Sequence, residues 1–140
     1  MMIKQLILKD NLKSTLDVNG YLQLENKCQE LLKDDAIRFV GMINHMGQLI
    51  SGGFAEGVDL VETDEKRRML YIQMALEIAM RKEFDDTLGK INYIATNRNK
   101  VLMITIPMDD HVILISAEPT YTADQIIAKA HDLELFPPEI

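Results

Sequence analysis

Residues Asp64–Phe84, with the sequence DEKRRMLYIQMALEIAMRKEF, form the stretch from which the fold can be argued. They include no Gly or Pro and are rich in Met, Leu, Ala, Glu, Lys and Arg, the residue types that lose least on entering a helix. At about 1.5 Å per residue, a helix over this stretch would be roughly 31 Å long, which is the width of a small domain. The stretch therefore predicts one long helix around which a small domain is built.

The apolar residues of this long helix fall on two nearly opposite sides of a helical wheel. A helix that packs on a sheet needs only one apolar side. We expect the first side to pack on the chain's own sheet and the second side to contact another molecule. The first side carries Met69, Ile72, Ala75, Leu76, Ala79 and Met80, and the second carries Leu70, Tyr71, Met74 and Ile78.

The length and composition of the chain are typical of one globular domain. The chain has 140 residues, of which 47% are hydrophobic and 26% are charged, so it can bury a single core. The pair Asn19-Gly20 predicts a turn. We therefore assign residues 1–20 to an N-terminal extension and residues 21–140 to a single domain.

The charge and the apolar runs argue against several classes of function. The net charge of −7 does not suit a protein whose main task is to bind nucleic acid. Cys28 is the only cysteine, so the chain can form neither an internal disulfide nor a zinc site built from cysteines. No apolar run approaches the roughly 18 residues of a membrane span, and the charged start MMIKQLILKD does not fit a secretory signal. We expect a cytoplasmic protein with no nucleic-acid partner and no membrane span.

The remaining elements are predicted from hydrophobic periodicity and turn residues. Apolar residues at helical spacing indicate a helix over Tyr21–Lys33, and Arg38–Gly53 predicts a hairpin with its turn at Asn44–Gly47. After the long helix, which Gly89 is expected to end, come three strands and a last helix that opens with a Thr122–Gln125 capping box. Their predicted ranges are Lys90–Thr96, Val101–Pro107, His111–Ala117 and Thr122–Glu134.

The last two strands, VLMITI and VILIS, are apolar at both odd and even positions. A sheet with one face in water would show alternation, so we expect helices on both faces. The strand before them, INYIAT, is mixed in character and is expected at an edge of the sheet.

With this order of elements, the chain resembles the roadblock/LC7 superfamily and the related profilin-like and longin folds. The resemblance covers Tyr21–Leu135 and includes the first hairpin, VGMINHMGQLISGG, which is similar to the opening of roadblock domains. The hairpin and the stretch EKRRMLYIQMALEIAMRKEFD are also similar to an archaeal family of small uncharacterised proteins. The resemblance implies dimerisation through the long helix and its adjacent strand.

We therefore expect an α+β fold with a five-stranded antiparallel sheet in the spatial order 2-1-5-4-3, with strands numbered along the chain. The long helix should lie alone on one face. The helices at Tyr21–Lys33 and Thr122–Glu134 should share the other face.

The potentially reactive side chains form no catalytic or metal-binding pattern. The pair Asp109-Asp110, next to a histidine, is better explained by a hairpin turn than by a cation site. Ser51 and Ser116 lie in strands and lack the sharp turn that exposes a catalytic serine. None of the three histidines has the spacing of a metal ligand. We expect no catalytic residue, no cofactor and no bound metal. The three histidines are His45, His111 and His131.

Three cations, Lys66, Arg67 and Arg68, follow directly after two acidic residues at the start of the long helix. Acidic residues suit the positive end of a helix dipole, whereas cations do not. The simplest explanation is a solvated surface on which Asp64 pairs with Arg68. The alternative is that the cations contact an acidic partner or an anionic ligand.

Two functions fit these expectations. The first is a non-catalytic, dimeric scaffold or regulatory module of roadblock type, whose relatives, as the resemblance implies, bind small GTPases or assemble larger complexes. The second is a small-ligand sensor of profilin-like or PAS-like architecture, which needs a cavity of several hundred Å³ with convergent polar groups. The apolar strands favour a filled core and hence the first function.

The expected homodimer is built on the second side of the long helix and the predicted edge strand. A two-fold contact is the commonest way to cover an exposed apolar patch, and pairing two edge strands removes their unpaired backbone groups. The competing explanation is that Met1–Val18 folds back over the patch and leaves a monomer. The expected interface residues are Leu70, Tyr71, Met74, Ile78, Tyr93 and Ile94.

Overall fold

The structure is a computed structural model, which describes residues 18–58 and 63–135. Helix α1 spans Val18–Leu31, and the hairpin strands β1 and β2 span Ile37–Asn44 and Leu49–Phe54. The long helix α2 spans Asp64–Arg81 and continues through a 3₁₀ turn, Lys82–Phe84, into the short helix α3, Asp85–Leu88. The remaining elements are β3 (Ile94–Asn97), β4 (Leu102–Pro107), β5 (His111–Ala117) and α4 (Ala123–Asp132).

The five strands form one antiparallel sheet in the order β2-β1-β5-β4-β3. Strand β5 lies in the middle, with Leu114 opposite Gly41 of β1 and Ile115 opposite Ile104 of β4. Strand β3 lies at an edge, as its mixed sequence indicated. The α+β fold class and the spatial order predicted from the sequence are confirmed.

One face of the sheet is covered by the helices that lie near the two ends of the chain. The strand residues Val40, Ile104 and Ile115 pack there with Cys28 of α1 and Ile126 of α4, and all five side chains are buried. This layer is the larger of the two apolar clusters, and it closes over the central strands.

The opposite face of the sheet is covered by α2. Phe39, Met103 and Leu114 project toward this face and pack with Tyr71 of the helix. Among the described residues, the cluster on this face takes its helical side chains from α2, as predicted for the long helix. Because central strands are buried on both faces, β4 and β5 have no reason to alternate polar with apolar residues.

The ends of the helices follow their sequence signals. The Thr63 hydroxyl oxygen accepts a hydrogen bond from the backbone N–H of Lys66 at 3.2 Å and caps α2. Thr122 and Gln125 form the predicted capping box of α4. Gly89, with φ of +87°, ends the short helix α3, whereas the long helix that it was expected to end already stops at Arg81.

Several boundaries differ from the sequence prediction. Helix α1 begins at Val18, inside the range assigned to the extension, while residues 1–17 lie outside the described residues. Strand β3 begins at Ile94 rather than Lys90. In the observed register Ile94 lies opposite Thr105, and a longer ladder would soon reach Pro107, which has no N–H to donate.

Asp34 fastens the loop between α1 and β1 to α4 and to Tyr121, which precedes that helix. Its carboxylate accepts hydrogen bonds from the Ala36 backbone N–H at 3.0 Å and the Tyr121 hydroxyl at 3.2 Å, and it pairs with the Lys129 ammonium. These contacts, with that of Lys129 the largest, hold the pKa of Asp34 below its usual value.

We expect Asp34→Asn to lower the free energy of unfolding by about 1 kcal/mol at neutral pH, because charge-assisted contacts are lost. The folded-state pKa of Asp34 lies below the unfolded value of 3.8, so its contribution is present above that value and disappears as the pH falls through the folded value. Urea unfolding at several pH values measures the difference from wild type, and Asp35→Asn at the exposed neighbouring position is the control. A difference that does not shrink on acidification would contradict this assignment.

Candidate functional site

Helix α2 packs on the sheet through the side opposite to the one that the sequence suggested. Tyr71 and Ile78, both from the second side, are only 7% and 4% exposed, and Ala75 is the one residue of the first side that is buried with them. The ring of Tyr71 stacks on that of Phe39 with 5.8 Å between centroids. An aromatic ring buries more area against another ring than a methionine does, which explains why this side was selected. The prediction that Tyr71 and Ile78 are available to a partner is therefore wrong.

The other two residues predicted on that interface, Leu70 and Met74, are half-buried and also turned toward the chain's own domain. The Met74 sulfur accepts a hydrogen bond from the Thr105 hydroxyl of β4 at 3.5 Å. Leu70 packs against the cluster beneath α2. The side of the helix on which these residues lie is thus largely used within the domain.

The opposite side of α2 carries a line of uncovered apolar side chains. Met69, Ile72, Leu76 and Met80 are 49%, 46%, 57% and 72% exposed. Their spacing of three or four residues keeps them on one side of the helix. Exposed apolar patches of this kind mark interaction sites. We call these residues, together with Phe84 and Leu88 beyond the end of α2, the exposed stripe: Met69, Ile72, Leu76, Met80, Phe84 and Leu88.

The turn between β1 and β2 lies directly against the exposed stripe. Gly47 has φ of +83°, and a Cβ atom there would lie 2.6 Å from Cγ1 and 2.8 Å from Cα of Ile72. Only glycine permits this approach of the turn to the helix. Met46, which precedes Gly47 in the turn, is also exposed and adds apolar area beside the stripe.

Strand β3 offers a second surface with unused bonding capacity. Within residues 18–58 and 63–135, no strand pairs with its outer side. Tyr93 is exposed just before the strand begins, and Ile94, opposite Thr105, is half-buried. These two residues of the predicted interface therefore lie at the sheet edge, as expected.

The three cations at the start of α2 have different surroundings. Lys66 and Arg68 are exposed. Arg67, rather than Arg68, pairs with Asp64, with 2.6 Å between Nη2 and Oδ1. The guanidinium of Arg67 also lies 5.0 Å from the centroid of the Phe54 ring, within cation–π range.

A cleft of about 680 Å³ opens between the first half of α2 and the sheet. Phe39, Tyr71 and Met103 belong to its apolar surface, and the Ser116 hydroxyl group and the amides of Gln73 and Asn99 add neutral polar groups. No Asp or Glu of the described chain lines it. Phe39, Tyr71 and Met103 are themselves buried beneath α2, so this open cleft does not contradict the expectation of a filled core. Four cations line the cleft: Arg38, Lys66, Arg98 and Lys100.

Sequence reasoning noted only Lys66 among these four cations. Arg38 lies in β1 and pairs with Glu118 at 3.1 Å, while Arg98 and Lys100 lie in the turn between β3 and β4. The sequence contained the information needed to group these cations, because the predicted strand order places the start of β1 and that turn at the same end of the sheet. Combining the order with the positions of charged residues would have brought them together.

The histidines and serines singled out in the sequence lie apart from the cleft, except for Ser116. His45 is exposed in the first turn, and His131 is exposed on α4. His111 is buried at the start of β5, and this burial lowers its pKa, although the nearby carboxylates of Asp110 and Asp109 act in the opposite direction. The Ser51 hydroxyl donates a hydrogen bond to the Glu25 carboxylate and so fastens β2 to α1.

Neither a metal-binding group nor a membrane-spanning helix is found among the described residues. No group of three His, Cys, Asp or Glu side chains in this part of the chain could hold a metal ion. None of the helices found in it is long and apolar enough to cross a membrane. The absence of a bound metal stays a prediction, which metal analysis of the purified protein can test.

The fold is shared with roadblock/LC7 proteins of known structure. The roadblock/LC7 domain from Streptomyces avermitilis has a TM-score of 0.59 at 9% identity, over 78% of this chain and 89% of that chain. The gliding protein MglB from Thermus thermophilus has a TM-score of 0.65 at 12% identity, over 81% and 84%. MglB from Myxococcus xanthus has a TM-score of 0.63 at 15% identity, over 85% and 87%. The predicted roadblock/LC7-like fold is confirmed.

The sequence comparisons place the chain in a family. No curated protein matches its sequence. The sequence model of a family of unknown function, DUF6659, matches residues 16–133, which is most of the chain. The chain therefore belongs to the DUF6659 family of unknown function.

Proposed function

We propose that this chain is a non-catalytic protein-interaction module of roadblock type that acts as a homodimer. The observation that carries the proposal is the exposed stripe. The buried side of α2 already covers the sheet, yet Met69, Ile72, Leu76 and Met80 leave a second apolar side of the same helix uncovered. The hydrophobic effect favours covering such a surface, and a second copy of the chain carries an identical one.

The interface that we propose differs from the one predicted from the sequence in its helical half. Met69, Ile72, Leu76 and Met80 replace the four residues that face the domain interior. Tyr93 and Ile94 remain, because β3 is an edge strand whose pairing with its twin would remove unpaired backbone groups.

The charges along the helix support an antiparallel arrangement of two copies. A two-fold axis across α2 sets the helices antiparallel, so the start of one lies near the end of the other. The exposed cations Lys66 and Arg68 would then approach the exposed carboxylates Glu83 and Asp86 of the second copy. This complementarity favours the symmetric pair over other registers.

The proposed dimer serves another protein rather than a chemical reaction. The roadblock-like fold supports this role, and a small GTPase is the partner class that the family resemblance implies. The Ser51 hydroxyl, one of the potential nucleophiles, is used to hold β2 against α1. A cytoplasmic location is part of the same proposal.

Sedimentation velocity of wild type and Leu76→Glu tests the dimer. Leu76 is 57% exposed, so glutamate at this position should leave the folded monomer intact. We expect wild type to be dimeric at micromolar concentration and Leu76→Glu to weaken association at least about tenfold, because each interface contains this position twice and loses its apolar burial there.

Leu22→Glu is the matched control. Leu22 is 51% exposed on α1, which covers the other face of the sheet, so this change should leave the dimer intact. A wild type that stays monomeric, or equal effects of the two substitutions, would contradict the proposal. A monomer would instead agree with an intramolecular cover, such as the fold-back of residues 1–17.

A further inference from the structure

We infer that the cleft between α2 and the sheet binds a small organic anion, with a phosphate or carboxylate group carried on a planar apolar body. This inference goes beyond the proposed function, although Lys66 and Met69 belong both to the cleft lining and to the surface proposed for the dimer. It rests on the charges, the floor and the size of the cleft, which point to the same class of ligand.

The charges around the cleft are selective for anions. Lys66, Arg98 and Lys100, together with Arg38, which also pairs with Glu118, come from three separate parts of the chain and converge on one space, whereas the chain as a whole has a net charge of −7. Charges of one sign around a concave surface with apolar walls concentrate ions of the opposite sign. Arginine in particular suits phosphate and carboxylate, because its planar guanidinium donates two parallel hydrogen bonds.

The floor of the cleft suits a flat apolar body. Phe54, Leu70 and Val101 line the cleft and are only partly buried, so they leave apolar surface for a ligand above the stacked and buried rings of Phe39 and Tyr71. The Ser116 hydroxyl offers a polar contact at the floor. Aromatic side chains with a few placed polar groups are typical of small-molecule sites.

The size and the charges favour a small molecule over the other occupants. The volume of about 680 Å³ lies within the usual range of ligand pockets, roughly 300–1,000 Å³. The N-terminal residues 1–17 carry three lysines, Lys4, Lys9 and Lys13, against Asp10 and Asp17, so their charge does not complement the cleft. An acidic peptide does match the charge, and it is therefore included in the test as a competing occupant.

Isothermal titration of the full chain with matched probes tests the inference. 1-Naphthyl phosphate and 1-naphthoate combine an oxyanion with a planar body, whereas 1-naphthol lacks the anion and inorganic phosphate lacks the body. We expect one site per chain for at least one of the two aryl anions, with affinity at least about tenfold above those of naphthol and phosphate. Which aryl anion binds more tightly distinguishes a phosphate ligand from a carboxylate ligand.

Charge reversal locates the site. Lys100→Glu and Arg98→Glu, both at exposed positions, should each weaken the tighter aryl anion at least about tenfold. Lys33→Glu, an identical charge change on a lysine that lies outside the cleft lining and pairs with Glu30, should change the affinity less than about twofold. Circular dichroism of each variant verifies that it is folded.

Several results would overturn the inference. One is that neither aryl anion binds at millimolar concentration. Another is that naphthol binds as tightly as the aryl anions. The third is that Lys100→Glu and Arg98→Glu both bind the tighter aryl anion with unchanged affinity. A hexaglutamate peptide that competes at the same site and binds more tightly than either aryl anion would assign the cleft to a protein partner instead.

Discussion

Replacing Gly52 with alanine is expected to lower the free energy of unfolding by more than about 3 kcal/mol. Gly52 lies in β2 with φ of +83°, a conformation that side-chain-bearing residues rarely adopt. A Cβ atom there would lie 2.0 Å from the carbonyl oxygen of Val40 and 2.9 Å from Cα of Gly41. Both contacts are with the backbone of β1, which cannot move away without disturbing its pairing with β5.

The damage should extend beyond the hairpin. The backbone N–H of Gly52 donates a hydrogen bond of 2.9 Å to the Glu25 carboxylate, which also accepts one from the Ser51 hydroxyl. A shift of β2 away from β1 would weaken this attachment of α1 to the sheet. The cost of a half-buried carboxylate that loses its donors adds to the steric cost.

Gly53→Ala provides the matched control for Gly52→Ala. Gly53 is the next residue of the same strand, and no atom lies within 4 Å of the place where its Cβ would be. We expect this change to alter the free energy of unfolding by less than about 1 kcal/mol, in either direction. Urea unfolding followed by circular dichroism compares the two variants, and equal losses would show that the close approach to Val40 is not the cause.

The sequence was sufficient to predict the layers of this fold but not the orientation of its long helix. The two-sided apolarity of VLMITI and VILIS required helices on both faces of the sheet, and the structure has them. On a helical wheel, however, the sides containing Ile72 and Tyr71 are both apolar. The choice between them depended on Phe39, a residue far away in the sequence, whose ring stacks on Tyr71. Such a contact between distant residues has no periodic signal.

The cleft was missed for a related reason. A cavity is a property of how layers fit together, and the cations around this one come from β1, the start of α2 and the turn after β3. The sequence suggested a contact site at three cations, Lys66, Arg67 and Arg68, because cations are unfavourable at the positive end of a helix dipole. In the structure Arg67 finds its partner in Asp64, whereas Lys66 lines the cleft. The unusual cations at the start of the helix therefore indicated the correct region of the surface. They did not indicate the other residues that line the cleft.

The single cysteine is expected to react with thiol reagents about a thousandfold more slowly than an ordinary exposed cysteine at about pH 8. Cys28 is fully buried, and this burial, assisted by the nearby Glu25 carboxylate, raises the pKa of its thiol from 9.0 to about 12. The thiolate is the reactive species, and a tenfold smaller fraction is present for each unit by which the pKa rises. Burial also blocks access of the reagent, which acts in the same direction.

The rate of reaction with an aromatic disulfide reagent measures this effect, and Leu22→Cys in a Cys28→Ala background is the matched control. Leu22 lies on the same helix α1 but is 51% exposed. The two proteins should react at similar rates in denaturant and should differ by about a thousandfold when folded. The raised pKa of Cys28 also makes stability depend on pH. Above about pH 9 the thiol ionises more readily in the unfolded chain than in the folded one, so the contribution of Cys28 to the free energy of unfolding is present below about pH 9 and is lost as the pH rises toward 12. Cys28→Ala should not show this loss. Equal reaction rates of the two folded proteins would show that Cys28 is accessible and would place α1 differently against the sheet.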